Sequence, residues 1–254
     1  KSLAFTRQTY YFLLLYQMTK LSVNINKIAT IRNARGGNVP NVMDAAIKCQ
    51  DFGADGITIH PRPDERHITK QDVYDIKNVI HKEYNIEGYP SNDFIKMILE
   101  VKPDQVTLVP DKPDVITSCQ GWDTINNKNF LNEIISEFNS HNIRTSIFVD
   151  PNVDMVIGAK ECGSSRIELY TEDFAINYNV DKSKSIHSYV LAAKKATEIG
   201  LDINAGHDLN LHNLAYFSKN IPNLKEVSIG HAIISDALYL GLENSIQMYK
   251  RLLK

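Results

Sequence analysis

Eight short runs of β-type residues recur along this chain at near-even spacing, each separated from the next by an amphipathic helical stretch. The runs fall near residues 21–25, 56–59, 85–87, 105–109, 144–149, 166–170, 202–205 and 226–229. Strands that alternate with helices pair in parallel, because each helix returns the chain to the same end of the sheet. Helices are expected over 42–52, 69–84, 92–101, 130–141, 153–162, 186–199 and 211–219, with a long polar loop over 121–129. Three helix-to-strand turns are built alike, at Phe52-Gly53-Ala54-Asp55, Cys162-Gly163-Ser164-Ser165 and Ile199-Gly200-Leu201-Asp202. Glycine suits the left-handed position just past a helix end, where a Cβ would clash. At 254 residues the chain has the usual size of one closed (β/α)8 barrel. An open doubly wound sheet would use the same alternation, but chemistry at the ends of both the first and the last run favours closure.

Those ends are the second constraint. The runs stop abruptly at residues that can do chemistry: His60, Glu87, Pro110-Asp111, Asp150, His207 and Gly230-His231. In parallel α/β sheets the ligand sits beyond the carboxyl ends of the strands, so these groups describe one shared pocket and the chain reads as an enzyme.

The formal net charge of -2 gives no bulk attraction to nucleic acid or an anionic membrane, while leaving room for a local basic pocket. Cys49, Cys119 and Cys162 form no C-x-x-C pair and no zinc spacing, which fits a reducing cytoplasm. The aromatic-aliphatic run from Tyr11 to Tyr16 falls far short of the roughly 20 apolar residues that cross a bilayer. No small-residue cleavage site follows it. Residues 1–17 therefore read as an extension that the fold does not need, ahead of Met18 and a single barrel domain over 18–254.

Among the reactive residues, His60-Pro61-Arg62-Pro63-Asp64-Glu65-Arg66-His67 is the densest group. Prolines stiffen it while arginines and histidines supply donors for a phosphate or carboxylate; alone, the run also fits a solvated charged loop. Zinc is disfavoured there by the neighbouring guanidinium groups. Gly230-His231 opens a helical stretch after the last strand, where barrels often hold phosphate on backbone N–H groups. His207 follows the seventh strand beside Asp208, and histidine titrates close enough to neutrality to move protons either way. Glu87 and Glu168 interrupt apolar strands, where a carboxyl group must be paired, protonated or functional. The polar stretch Arg32-Asn33-Ala34-Arg35-Gly36-Gly37 reads as a loop able to cradle an anion, without nucleotide-binding spacing.

From about Leu21 onward the chain closely resembles the pyridoxine 5′-phosphate synthase family. The resemblance is carried by the run from Val23 through Asn24, Asn26-Lys27 and Arg32 to Gly36, by Gly53-Ala54-Asp55-Gly56-Ile57-Thr58-Ile59-His60 with Arg62 and Arg66-His67-Ile68-Thr69, and by Leu108-Val109-Pro110. Asn204-Ala205-Gly206-His207 and Ile229-Gly230-His231-Ala232-Ile233-Ile234 complete it. The resemblance implies a barrel that condenses 1-deoxy-D-xylulose 5-phosphate with 3-amino-2-oxopropyl phosphate into pyridoxine 5′-phosphate, inorganic phosphate and water, without metal or organic cofactor. It implies His60 and Glu87 as proton acceptors, His207 as proton donor and Glu168 as stabiliser of a charged intermediate. It further implies Arg62, His67 and Thr117 on the deoxyxylulose phosphate, and Asn24, Arg35, Gly230 and His231 on the amino-ketone phosphate. A homo-octamer built from dimers is implied as well, with Arg35 reaching a neighbour's site. Many members carry Asp-His at Asn26-Lys27 and glycine at Asp208, so these three positions bear on how the substrate hydroxyls are held. Other sugar-phosphate barrels, of aldolase or epimerase type, share many of these features. A catalytically silent phosphate-binding barrel would need no acid/base set.

Overall fold

The computed structural model describes residues 18–111 and 120–254. Eight parallel strands close in sequence order: β1 (Lys20–Asn24), β2 (Gly56–Ile59), β3 (Glu83–Gly88), β4 (Gln105–Leu108), β5 (Arg144–Val149), β6 (Arg166–Tyr170), β7 (Asp202–Gly206) and β8 (Leu224–Ile229). β1 pairs with both β2 and β8, which excludes the open doubly wound sheet. Among the described residues the helices are α1 (Asn26–Asn33), α2 (Val42–Asp51), α3 (Lys70–Lys77), α4 (Asn92–Val101), α5 (Lys128–Ser140), α6 (Val153–Glu161), α7 (Glu172–Asn177), α8 (Lys182–Glu198), α9 (Leu214–Asn220), α10 (His231–Leu240) and α11 (Leu242–Leu252).

Alternation along each strand sorts side chains to two faces. Val23, Ile57, Ile86, Val106, Ile147, Ile167, Ile203 and Val227 are fully buried in one continuous apolar layer with the helices. Each such side chain contributes roughly 1.5–3 kcal/mol by leaving water. The intervening residues meet one another inside the barrel and are mostly polar, apart from Val109, Phe148 and Tyr170, which form a small separate apolar cluster near the mouth. Ser22 Oγ and Thr58 Oγ1 lie 2.7 Å apart, Asn85 Nδ2 donates to Thr58 Oγ1 at 3.3 Å, and Thr107 Oγ1 donates to Asn85 Oδ1 at 3.0 Å. Barrels are more often filled with branched apolar side chains; this one is lined by hydrogen-bonding groups.

At the amino ends of the strands Arg166 Nη1 donates to Gln105 Oε1 at 3.1 Å and Asn204 Oδ1 at 3.3 Å. The same nitrogen lies 3.6 Å from Glu83 Oε1 and 3.8 Å from Glu226 Oε2, and Arg144 also pairs with Glu83. Burial pushes Glu226 up to about 8, with the Glu83 charge adding to it. Burial also opposes charge on Glu83, yet Arg144 and the Glu226 hydrogen bond hold it below the ordinary carboxylate range. Of this pair, Glu83 is the one whose ionised form the surroundings favour.

Local signals place the helices. Thr69 and Asp72 form a reciprocal capping box on α3, and Asn41, Ser91, Asn152 and Asp181 cap α2, α4, α6 and α8 through their side chains. Such caps are each worth about 1 kcal/mol. Gly53, Gly163 and Gly200 adopt φ of +102°, +87° and +72°, as the three repeated turns require.

Three sequence expectations need correction. The helix expected over 69–84 ends at Lys77, and Tyr84 is a fully buried residue of β3 whose hydroxyl donates to the Val73 carbonyl at 3.0 Å. Val73, Ile76, Ile80 and Tyr84 keep a helical spacing across what is really a helix, a turn and a strand. Arg32 is not on an anion-binding loop: it is a buried residue of α1, and its guanidinium grips Asp72 with both forks at 2.6 and 2.8 Å. The helix expected over 186–199 begins at Lys182, after a separate short α7.

Candidate active site

Each strand of the barrel delivers its next inward position to the carboxyl-end mouth, where a cavity of about 620 Å³ opens. His60 follows β2, Glu87 lies in β3, Glu168 in β6, His207 and Asp208 follow β7, and Gly230-His231 follows β8. All of them line this cavity, with Asn24, Asn26, Lys27, Arg62 and His67.

Asn26 accepts the His60 backbone N–H on Oδ1 at 2.9 Å, so its side chain fixes the turn that aims the histidine. Burial holds His60 well below the usual histidine range, reinforced by Arg62, His67 and Arg66. Its Nδ1 lies 3.9 Å from Glu87 Oε2. With a neutral imidazole this is contact between two proton acceptors, not an ion pair. Burial pushes Glu87 up to about 7, opposed by His207 and by a hydrogen bond from Ser228 Oγ at 3.4 Å. A carboxyl group that titrates near neutrality is suited to general-base work.

Glu168 is buried, and burial together with the neighbouring Glu87 and Glu226 carboxyl groups drives it well above the carboxylate range. Its Oε2 makes no hydrogen bond in the structure. Gly206 leaves the space: a Cβ there would stand 2.4 Å from Glu168 Oε1. Burial disfavours charge on His207 as well, but the Asp208 hydrogen bond and charge, with Glu172 and Glu87, outweigh it and raise the imidazole above its ordinary value. One mouth therefore gathers two groups suited to accept a proton, a buried carboxyl whose neutral form is favoured and an imidazole whose protonated form is favoured.

Two features of the same mouth are suited to holding an anion. On one side stand Arg62, Arg66, Lys27 and His67. Arg62 Nη2 donates to Asp111 Oδ2 at 2.9 Å, which orients a guanidinium that carries five N–H groups. His67 is pushed down to about 4 by burial, then by Arg62, Lys27 and Arg66. Its Nδ1 accepts the Ile68 N–H at 2.9 Å, so the neutral ring carries its proton on Nε2 and presents a donor. On the other side the first turn of α10 has no capping side chain and begins at Gly230. A Cβ at Gly230 would stand 3.0 Å from the Asn24 carbonyl, so glycine lets this helix start against the end of β1.

Not every expected residue comes to this cavity. Arg35 is exposed beyond the end of α1 and does not line it. Thr117 lies outside the described residues. Ser228, Glu172 and Thr30 were not singled out from sequence as site residues, although all three line the cavity, and the strand-end Asp111 holds Arg62. For Ser228 the signal was present, since it shares the inward parity of Glu226 and Gly230 on β8. Among the described residues no cluster of three or more His, Cys, Asp or Glu side chains could hold a metal ion.

Comparison with known proteins adds an independent observation. Residues 21–254 match the model of a family described as pyridoxal phosphate biosynthesis protein PdxJ. The chain is 61% identical over 237 residues to pyridoxine 5′-phosphate synthase of Bacteroides fragilis, covering 93% of this chain and 100% of that one. The protein of the same name from Flavobacterium johnsoniae is likewise 61% identical over 237 residues, with the same coverage of both chains. Among solved structures, tryptophan synthase from M. tuberculosis superposes with a TM-score of 0.64 at 10% identity, covering 95% of this chain and 96% of that one. At that identity the likeness concerns the fold alone.

Proposed function

Because the chain belongs to the PdxJ family, we propose that the cavity at its barrel mouth is the seat of pyridoxine 5′-phosphate synthase activity in vitamin B6 biosynthesis. The chain is an enzyme with that activity. The observation that carries the siting is the convergence of His60, Glu87, Glu168 and His207 on one cavity with two features suited to holding an anion. A condensation of two phosphorylated ketones needs this combination. Imine formation, dehydration and ring closure are successive proton transfers between fixed groups, and two phosphates must be held apart while they occur.

In this reading neutral His60 and Glu87 take protons from the bound substrates. His207, whose protonated form the neighbouring carboxylates favour, gives one to a departing oxygen. Glu168, uncharged before substrate enters, donates a hydrogen bond where negative charge develops. Arg62, Lys27, His67 and Thr117 hold the deoxyxylulose phosphate, and Asn24 with Gly230 and His231 holds the amino-ketone phosphate. Asn26 serves by fixing the His60 turn. Arg35 stands outside its own chain's cavity, which supports a role in a neighbouring copy's site within a homo-octamer. A cytoplasmic setting fits the free thiols of Cys49 and Cys162, and no described helix is long and apolar enough to cross a membrane.

Incubation with the two phosphorylated substrates, followed by product analysis, is expected to yield pyridoxine 5′-phosphate with release of inorganic phosphate. His60→Asn, Glu87→Gln and His207→Asn should each lower turnover by roughly 10²–10⁴-fold with the fold intact by circular dichroism. Near-normal rates in all three would move the chemistry elsewhere.

A further inference from the structure

His207 occupies the left-handed region of backbone space at φ 97°, a conformation that costs a residue with a side chain on the order of 1–3 kcal/mol. The chain is pinned on both sides of it. Thr171 Oγ1 donates to the Gly206 carbonyl at 2.8 Å, and the Asp208 carbonyl accepts from Asn213 Nδ2 at 3.2 Å and Asn210 Nδ2 at 3.4 Å. These anchors use backbone oxygens, so the turn is held without the Asp208 carboxylate. That carboxylate is directed at the histidine instead, with Oδ2 2.5 Å from Nδ1.

We propose that Asp208 is a positioning residue for His207, fixing Nδ1 as the nitrogen that keeps its proton and Nε2 as the nitrogen that delivers one to substrate. The proposal rests on the reading of His207 as proton donor. A carboxylate on Nδ1 selects one tautomer of the neutral ring left after donation and stabilises the imidazolium before it. Ring orientation has a second support. Tyr170 meets the imidazole edge-on with centroids 5.0 Å apart and planes at 85°, and its own carbonyl is fixed by the Tyr189 hydroxyl at 2.9 Å.

Of the titratable groups around the ring, the carboxylates of Asp208, Glu172 and Glu87 all favour its protonated form. Asp208 comes from the same loop, Glu172 from α7, Glu87 from β3 and Glu168 from β6, with His231 lining the same cavity. Tyr170 donates to Glu172 Oε2 at 2.5 Å and so keeps that carboxylate in place. Asp208 is the carboxylate hydrogen-bonded to the ring, and with Glu172 and Glu87 it raises the imidazole against its burial. Direct binding of substrate by Asp208, the expectation from sequence, would appear in a Michaelis constant. Positioning appears in turnover and in its pH dependence.

The test compares the unaltered chain with Asp208→Asn and Asp208→Ala, combining pH profiles of kcat with NMR titration of 15N-labelled histidine in the ligand-free protein. Asp208→Asn keeps the side chain's shape and an acceptor oxygen but removes the charge. It should lower kcat about tenfold at pH 8.5 and less than about threefold at pH 6, leaving both Michaelis constants within about twofold. His207 should release its proton at lower pH in both variants, and Asp208→Ala should also lose the single-tautomer signature. Unchanged titration of His207 in both variants, or an effect confined to a Michaelis constant, would overturn the proposal. His207→Asn, measured alongside, separates the two readings. If it turns over normally the donor role itself fails, whereas an inactive His207→Asn with unaltered titration in the Asp208 variants rejects positioning alone.

Discussion

Glu168 shows how one residue acquires a property its amino-acid type does not have. Burial and two nearby carboxyl groups keep it uncharged, and Gly206 gives it space that any side chain would fill. If it works as a neutral hydrogen-bond donor, Glu168→Gln, which keeps an N–H donor, should retain turnover within about tenfold. Glu168→Ala should lose more than about 10²-fold, as removal of a preorganised donor does. Steady-state rates on the two substrates decide this, and equal losses in the two variants would assign Glu168 an ionised role. That Glu168 was unusual could be read from sequence, because it interrupts an apolar strand. Its protonation state could not, since the groups that set it lie on β3 and β8. The same limit applies to Glu172 and Asp111, whose neighbours become visible only once the barrel has closed.

At the scale of elements, the ends of the strands divide the labour. Carboxyl ends carry the reactive set, while amino ends carry the network of Glu83, Gln105, Arg144, Arg166, Asn204 and Glu226. Removing one partner of a buried charge network leaves the others uncompensated, at a cost of about 3–5 kcal/mol. Arg166→Ala should therefore lower the unfolding free energy measured by urea denaturation by an amount in that range, while Arg166→Met with Glu226→Gln recovers much of it. A double variant as unstable as the single one would show that shape, not charge, is what Arg166 supplies. Strand positions were largely legible because β-type runs and glycine turns mark them. Element ends were less so: apolar residues from Val73 to Tyr84 keep a helical spacing through a real helix stop, and only the capping of α3 and the pairing of β3 resolve it.

For the whole molecule, the described residues complete the barrel without residues 1–17, which lie outside them. We propose that this extension is dispensable: a chain beginning at Met18 should turn over within about twofold of the full sequence and unfold within a few degrees of it, as judged by activity and by thermal melting. Aggregation or loss of most activity would make the segment part of the fold. The closed barrel was foreseeable from the eight alternations. The polar lining was written in the same strands, at every second residue of Arg166-Ile167-Glu168-Leu169-Tyr170 and Asp202-Ile203-Asn204-Ala205-Gly206, yet it acquires meaning only when those residues are seen to face one another. Because the lining is mostly hydrophilic, the main cohesive part of this protein is a ring and not a ball: an annulus of apolar side chains between strands and helices, with only the small Val109, Phe148 and Tyr170 cluster inside it. A defect in such an annulus is borne by its immediate neighbours, so the destabilisations from truncating Ile57 and Ile167, on well-separated arcs of it, should simply sum.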